Sequence, residues 1–380
     1  MGFLCLILSV LLLSGCAPAA PAIAAEEPTA TATTAETAPP PPPSTEPPDP
    51  VLELLNSMST EEKVGQLFLA RYPGETALTD LNAYHLGGYI LFAEDFENQT
   101  PESISQRIAA YQVSADIPML IAVDEEGGTV CRVSAYSAFR NTPFPSPREL
   151  YSVGGMDHVL GIEAEKAYLL SSLGINVNMA PVCDIATVPG SFMYRRSLGQ
   201  SPEETGSFAV GTMEMMAAFQ VGTVIKHFPG YGNNKDTHTA SALDNRSLAQ
   251  LESEDLIPFS MAIHAGCDAI LVSHTIVPAM DDALPASLSP AVHSYLRSIM
   301  GFQGVIVTDD LVMGAITGTY GAGEAAVMAV LAGNDLLCST EYPTQYQAVL
   351  EAVENGRISE DQITRSAERI LRWKQKLGLI

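Results

Sequence analysis

From residue 51 onward, short apolar and β-branched runs alternate with longer segments of helical periodicity. Such runs are typical of buried strands, and helical spacing between them is typical of crossover helices. The predicted strands are 66–70, 88–92, 119–123, 175–179, 223–226, 269–273, 305–308 and 335–338. The predicted helices include 101–114, 155–173, 202–219, 248–265 and 358–377. No proline-rich linker interrupts this series, so we expect one domain.

Eight strands with interleaved helices predict an α/β fold, a (β/α)8 TIM barrel, as a single catalytic domain over residues 51–380. The alternative is a doubly wound sheet, which would usually have fewer strands and a glycine-rich turn after the first one. The strand count therefore favours the barrel.

Polar side chains cluster where five of the predicted strands end, which is where barrel active sites lie. They are 124–126 after the third strand, Asp184 after the fourth, Lys226 and His227 in the fifth, His274 after the sixth, and Asp309 and Asp310 after the seventh. Buried ionisable groups without partners would cost several kcal/mol each. We therefore expect a polar ligand, such as a sugar or a phosphate, at this end of the barrel.

The segment 226–238 reads Lys-His-Phe-Pro-Gly-Tyr-Gly-Asn-Asn-Lys-Asp-Thr-His and is too polar for a core. Gly230 and Gly232 allow backbone angles that other residues avoid. Asp236 and His238 can bring a carboxylate against an imidazole in a tight turn, which makes them a candidate proton-transfer pair. The structural alternative for this pair is an ordinary hydrogen bond within a loop.

The two roles that retaining glycoside hydrolysis requires are a nucleophile and a separate proton donor. Asp309 at a strand end can supply the first role and His238 the second. An imidazole titrating near pH ~6.5 can donate a proton and later recover it when a carboxylate fixes its tautomer. Asp236 is placed in the sequence to be that carboxylate.

Residues 51–380 resemble glycoside hydrolase family 3, in its β-N-acetylglucosaminidase branch. The motifs that carry the resemblance are 87–92, 124–128, 180–184, 196–197, 226–238, 285–289 and 308–313. The resemblance implies hydrolysis of terminal β-linked N-acetylglucosamine from peptidoglycan-derived glycans through a covalent glycosyl-Asp intermediate, with no cofactor and no metal. In relatives without the Asp-x-His pair the acid/base usually comes from a second domain, and we expect none here.

Taken residue by residue, the resemblance makes Asp309 the nucleophile and His238 the general acid/base, oriented by Asp236. It also implies a set of sugar-binding residues: Asp124, Arg132, Arg196, Lys226 and His227. The chain departs from the family pattern at Thr129, where the first arginine of Gly-Gly-Arg-x-x-Arg is missing, and at Tyr231, where a histidine is common.

Several alternatives stay open at this level. A structural role is favoured over a catalytic one for Asp310 and Glu125, because one nucleophile needs only one carboxylate and close like charges raise each other's pKa. His274 fits either a satisfied core histidine or a group facing substrate. The alternative activities are a β-glucosidase or β-xylosidase, a glycoside phosphorylase, and a noncatalytic sugar-binding lipoprotein.

Residues 1–16 form an apolar stretch suited to a signal peptide and too short for a comfortable membrane span. The segment 13–16, Leu-Ser-Gly-Cys, resembles the bacterial lipobox, which implies a diacylated Cys16. A departure is that no Lys or Arg precedes Lys63. Residues 17–50 are rich in Ala, Pro, Thr and Glu and predict a disordered tether. We expect an exported protein, lipid-anchored to the outer face of the bacterial cell membrane or on its periplasmic side.

The chain has 380 residues and a formal net charge of −25. The segment 17–50 carries five acidic residues and no basic one, so the remainder still carries −20. This charge argues against nucleic acid as a partner. We expect a carbohydrate substrate such as a muropeptide, membrane contact through the lipid anchor only, and a monomer. Four cysteines, Cys131, Cys183, Cys267 and Cys338, lack paired spacing, so we expect free thiols and no metal site.

Overall fold

The computed structural model describes residues 49–234 and 242–380. Within these ranges, eight parallel strands form one sheet in the order β8-β1-β2-β3-β4-β5-β6-β7. The strands are β1 Phe68–Arg71, β2 Gly88–Leu91, β3 Leu120–Val123, β4 Val177–Asn178, β5 Gly222–Phe228, β6 Ala269–Val272, β7 Val305–Thr308 and β8 Leu337–Ser339.

The sheet closes on itself. β1 pairs with β8 in the register Leu69 to Cys338. On the other side, a parallel bridge joins Val307 to Leu336, and the Thr308 N–H donates to the Leu336 carbonyl at 3.0 Å. Because the two outer strands meet in this way, the sheet is a (β/α)8 barrel and the predicted fold is confirmed.

Helices surround the barrel. They are α1 Pro50–Ser57, α2 Thr60–Gln66, α3 Ala77–Ala83, α4 Pro101–Ser114, α5 Pro147–Ser172, α6 Pro202–Ala217, α7 Leu248–Ser253, α8 Leu256–His264, α9 Pro290–Ser294, α10 Gly314–Thr317, α11 Ala322–Ala332, α12 Tyr342–Glu354 and α13 Glu360–Lys376. Short 3-10 turns lie at Gly74–Thr76, Ala93–Phe96 and Ala286–Leu288, and a π turn at Tyr295–Ile299. None of the helices in 49–234 or 242–380 is both long and apolar enough to span a bilayer.

The longer helices start where the sequence places caps. Thr100, Ser146 and Ser201 each accept a hydrogen bond from the third residue of their helix, and each is followed by proline at the first helical position. α5 is kinked at Gly154 and Gly155, so the predicted helix 155–173 is its second half.

The prediction of one helix over 248–265 was wrong, because α7 ends before α8 begins. Glu254 between them has φ −131° and ψ −85°, which is not helical. Pro258 explains the break, since a proline ring clashes with the carbonyl four residues earlier in a continuous helix, and that residue is Glu254. Two shorter helices avoid this clash.

The interior is apolar and covered on both faces. Every residue of β2, β3, β6 and β7 is buried. Strands buried on both faces read as continuous apolar runs, which is why the sequence pattern located them. A two-stranded antiparallel hairpin of Glu125–Gly127 and Val130–Cys131 follows β3 and is the departure from regular barrel units that reaches the site.

Lys374 in α13 places an amine inside this core. Its side chain is 0 % exposed, and its Nζ lies 2.6 Å from the Gln66 Oε1, just before β1. Burial lowers the pKa of Lys374 to about 7. An unfolded chain keeps the ordinary lysine pKa, near ~10.4. Between these two values the unfolded state binds the extra proton, so the free energy of unfolding rises with pH by up to about 1.4 kcal/mol per unit.

We therefore expect Lys374→Met to change stability in a pH-dependent manner. Relative to wild type, the variant should be more stable at pH ~7 than at pH ~9.5: the difference in the free energy of unfolding, variant minus wild type, is larger at pH ~7 by up to about 3 kcal/mol. Urea unfolding at both pH values measures this difference. The matched control is Lys376→Met, because Lys376 is largely exposed beside Asp268. Equal differences at the two pH values would contradict a neutral buried lysine.

Candidate active site

A cavity of about 1120 Å³ opens at the carboxyl ends of the barrel strands. The six predicted site residues that lie in the described ranges all line it: Asp124, Arg132, Arg196, Lys226, His227 and Asp309. Asp236 and His238 fall in 235–241, and Cys16 falls in 1–48, so these three lie outside the described residues. The cavity therefore brings together side chains that the sequence separates by up to 185 positions, from 124 to 309.

Two cations and two carboxylates interlock at the floor of the cavity. The Lys226 Nζ lies 2.6 Å from the Asp124 Oδ1 and 2.6 Å from the Glu126 Oε1. Arg196 donates to both oxygens of Glu126, from Nε at 2.8 Å and from Nη2 at 2.7 Å. Glu126 is buried and is shared by both cations. Charge-assisted pairs of this kind fix their donors in place before a ligand arrives.

The cluster stays ionised because its charges are matched. Burial by itself would raise the pKa of Glu126, but the adjacent Arg196 and Lys226 hold it well below its usual range. Burial would lower the pKa of Lys226, but Asp124 and Glu126 raise it above its ordinary value. The cavity floor thus presents fixed ammonium and guanidinium donors and a half-buried carboxylate, the groups that bind sugar hydroxyls.

The hydrogen bonds of His227 define its tautomer. Its Nδ1 lies 2.7 Å from the Asp184 Oδ2, and its Nε2 lies 3.3 Å from the Arg196 Nη2. An ionised carboxylate only accepts and a guanidinium only donates. The proton is therefore on Nδ1, and Nε2 accepts from Arg196. The imidazole, oriented by these two contacts, completes the polar floor of the cavity.

Asp309 and Asp310 follow β7 but occupy different surroundings. The Asp310 carboxylate is held by the Thr340 Oγ1 at 2.5 Å and by the Val312 N–H at 3.1 Å, and burial raises its pKa. Both residues are half-buried and border the cavity, but the two Asp310 oxygens are engaged by Thr340 and Val312, whereas the Asp309 Oδ1 accepts the Asp310 N–H at 3.0 Å. This arrangement supports Asp309, rather than its neighbour, as the carboxylate that reaches a substrate.

His274 and Glu125 have partners that explain their burial. The His274 Nδ1 lies 2.6 Å from the Ser287 Oγ, and its Nε2 lies 3.0 Å from the Asp310 carbonyl. Glu125 accepts the N–H groups of Arg132 and Val133 at 2.8 and 2.7 Å. Both residues support the cavity wall from behind.

Arg132 lies at the side of the cavity. Its guanidinium lies 5.8 Å from the Phe92 ring centroid. Its Nε is buried and has no hydrogen-bond partner among the described residues. A buried donor without a partner costs free energy, so a polar ligand in the cavity would be stabilised by it. This geometry supports the predicted binding role of Arg132.

Sequence reasoning grouped Glu126 and Asp184 with the polar residues at the strand ends but gave neither of them a role in the site. A signal for Glu126 was present, because in an extended segment alternate residues face the same side. Asp124 and Glu126 therefore share the cavity face, while Glu125 points into the wall. The position of Asp184 after the fourth strand did not indicate its role, because that role depends on contact with His227, 43 positions away.

Glu126→Gln should weaken both substrate binding and the folding of the barrel. It leaves the charges of Lys226 and Arg196 without their shared carboxylate, and breaking a buried pair costs about 3–5 kcal/mol. We expect KM to rise at least about 10-fold for lack of fixed donors. The control is Glu125→Gln, a buried neighbour that accepts the backbone N–H groups of Arg132 and Val133 and the Ser134 hydroxyl. It should lower stability and leave KM nearly unchanged. Equal KM values for Glu126→Gln and wild type would contradict this role.

The model of the glycosyl hydrolase family 3 N-terminal domain matches residues 59–373. Beta-hexosaminidase A of Pseudoalteromonas piscicida is 30% identical over 326 residues, which is 78% of this chain and 54% of that protein. A beta-hexosaminidase of Xylella fastidiosa strain M12 is 33% identical over 280 residues, or 72% of this chain and 81% of the relative.

Among solved structures, a glycoside hydrolase family 3 beta-N-acetylglucosaminidase from Paenibacillus sp. str. FPU-7 superposes with a TM-score of 0.80 at 35% identity. The similarity covers 85% of this chain and 63% of that one. The chain thus spans about half to two thirds of the length of these two first relatives.

Proposed function

The chain belongs to glycosyl hydrolase family 3, and from this we propose that it is a retaining exo-β-N-acetylglucosaminidase. Its substrate is a glycan with a terminal β-linked N-acetylglucosamine. The observation that carries the proposal is the position of Asp309 in one cavity with the salt-bridged cluster of Asp124, Glu126, Arg196 and Lys226. The names of the similar proteins, beta-hexosaminidase and beta-N-acetylglucosaminidase, agree with it.

The mechanism assigns each group one task. The Asp309 carboxylate attacks the anomeric carbon and forms a glycosyl ester, while the bond to the leaving oxygen breaks. His238 gives its proton to that oxygen, and Asp236 holds the imidazole in the required tautomer. His238 then takes a proton from water as the water attacks the same carbon and releases Asp309. Two inversions give net retention, and no cofactor takes part.

The cavity floor provides specificity in this mechanism. Lys226, Arg196 and the Nδ1–H tautomer of His227 are held by carboxylates, so their positions do not have to be established on binding. Arg132 and Asp124 border the same space. Polar groups fixed in this way reject a sugar that lacks the matching hydroxyl or amide, because they would then remain unpaired.

The proposed natural substrates are peptidoglycan-derived fragments, and the proposed location is the outer face of the cell membrane, through a lipid on Cys16. Support comes from the segment 13–16 and from the composition of 17–50. Detergent phase partitioning of the full chain made in a bacterial host tests the anchor. Recovery in the aqueous phase alone would reject it.

The activity is tested by release of nitrophenol from the β-N-acetylglucosaminide and the β-glucoside, each with and without phosphate. The expected result is hydrolysis of the N-acetyl sugar, with the β-anomer formed first. Faster turnover with phosphate and a sugar phosphate product would identify a phosphorylase instead. Cleavage of the glucoside alone would contradict specificity for N-acetylglucosamine and would identify a β-glucosidase. Turnover of neither sugar would point to a sugar-binding protein.

A further inference from the structure

A buried ion cluster lies beside the cavity without lining it. The Arg246 Nε lies 3.0 Å from each carboxylate oxygen of Asp244, and its Nη2 lies 2.6 Å from the Asp244 Oδ2. The Arg246 Nη1 donates to the Asp255 Oδ2, and its Nη2 lies 3.4 Å from the Asp255 Oδ1. Both carboxylates are buried. We call these three residues the Arg246 cluster.

The Arg246 cluster supports the turn that follows β5. A Cβ on Gly230, where φ is +121°, would lie 2.4 Å from the Asp255 Oδ1. A Cβ on Gly232, where φ is +54°, would lie 2.7 Å from the Arg246 Cζ. The Arg246 Nη2 also lies 3.3 Å from the Gly230 carbonyl. The cluster therefore packs directly on the backbone of this turn, with no room for side chains on either glycine.

The 230–232 turn, which the cluster supports, also fixes the position of His227. The Gly230 N–H donates to the His227 carbonyl at 2.8 Å. The Tyr231 N–H donates to the Asp184 Oδ1 at 2.7 Å, and the other oxygen of Asp184 accepts the His227 Nδ1–H. The Tyr231 ring lies edge-on to the imidazole, with centroids 5.2 Å apart. The backbone position of 230–232 thus sets both the orientation and the tautomer of His227.

We propose that Arg246 is a positioning residue for sugar binding: held by Asp244 and Asp255, it fixes the 230–232 turn and so holds Asp184 and His227 in the geometry that presents the imidazole to the cavity. Arg246 does not touch the substrate. The kinetic part of this inference rests on the proposed function, while the state of His227 can be measured without any activity.

Arg246→Lys is the informative variant. It keeps one positive charge, but a lysine ammonium lacks the planar guanidinium. It therefore cannot pack against Gly232 and at the same time bond the two carboxylates and the Gly230 carbonyl. We expect KM to rise about 10-fold or more, by the same factor for nitrophenyl and for disaccharide substrates. The factor is the same because His227 binds the sugar that is retained and not the leaving group.

The second readout is the imidazole Nδ1 proton of His227, observed by NMR of histidine-labelled protein and assigned by its loss in His227→Asn. We expect its resonance to shift or broaden in Arg246→Lys. The matched control is Arg357→Lys, because Arg357 makes an exposed two-bond contact with Glu324. If Arg246→Lys does not fold, Asp244→Asn serves as the milder variant of the same cluster.

Each outcome decides the inference. A raised KM that is independent of the leaving group, together with a changed His227 resonance, supports it. Lower stability with an unchanged KM and resonance would make the cluster structural and overturn the inference. A loss that grows with the basicity of the leaving group would assign the cluster to proton donation instead. A wild-type protein without glycosidase activity would reject the proposed function, and the resonance would still test the positioning role.

Discussion

Asp309→Asn is expected to reduce kcat/KM by at least about 10⁴-fold, because an amide is a far weaker nucleophile than a carboxylate. The change alters one atom in a half-buried side chain, so the barrel should unfold at nearly the same temperature. The measurement is nitrophenol release from the β-N-acetylglucosaminide, with binding of the product sugar as a check on the intact cavity.

Two controls separate chemistry from structure in this experiment. Asp310→Asn alters the neighbouring carboxylate, whose two oxygens already accept hydrogen bonds from Thr340 and Val312, so its loss of activity should be far smaller. Asp309→Gly with azide should recover turnover and give the α-glycosyl azide, because azide then takes the place of the missing nucleophile. Comparable losses in the Asp309 and Asp310 variants would reject the assignment.

His238→Ala is expected to show an effect that depends on the leaving group. Alkyl and sugar leaving groups need a proton in the transition state, whereas an activated nitrophenolate does not. We expect kcat/KM to fall about 10²–10⁴-fold on a disaccharide and far less on a dinitrophenyl glycoside.

The companion variant Asp236→Asn should follow the same trend with smaller losses, because it disturbs the tautomer of His238 without removing the imidazole. The pH dependence of kcat/KM provides a further check. The decrease in kcat/KM at high pH, which reports deprotonation of the general acid, should be absent in His238→Ala. Equal losses on activated and unactivated substrates would mean that another group donates the proton.

The stability and binding variants test different parts of the molecule. Lys374 lies at the end of the barrel opposite the cavity, beside Gln66, and its substitution should leave KM unchanged. Glu126 lines the cavity, and its substitution should alter KM. If both changes altered KM alike, the barrel would be transmitting strain between its ends, which the separate contacts of these two residues do not indicate.

The sequence placed the barrel strands well because their signal is local. A strand buried on both faces needs an unbroken apolar run, and 88–92, 119–123 and 305–308 each overlap an observed strand over at least four residues. The predicted helix starts at 101 and 202 agree with the structure, whereas α5 begins at Pro147, before the predicted start at 155. The prediction of one helix over 248–265 was wrong, because the helical periodicity continues through Pro258. A proline at that position prevents a continuous helix, since it lacks an N–H and its ring clashes with an earlier carbonyl.

The site residues also differ in how far the sequence located them. Residues at the ends of strands could be grouped in advance because the carboxyl ends of parallel strands meet at one face of a barrel. That argument put Asp124, Lys226 and Asp309 together before any distance was known. Asp236 and His238 rest on their spacing and on the family resemblance, and they stay a prediction.

By itself the sequence therefore determined the barrel, the end of it that carries the chemistry, and the residue types found there, since periodicity and strand ends are written in local order. Only the tertiary structure decided which charges share a partner. Glu126 lies between Lys226 and Arg196, and Asp184 accepts from His227, because these contacts join residues 43 to 100 positions apart. Such pairings depend on the closure of the barrel and on the direction of each side chain, and no local pattern encodes them.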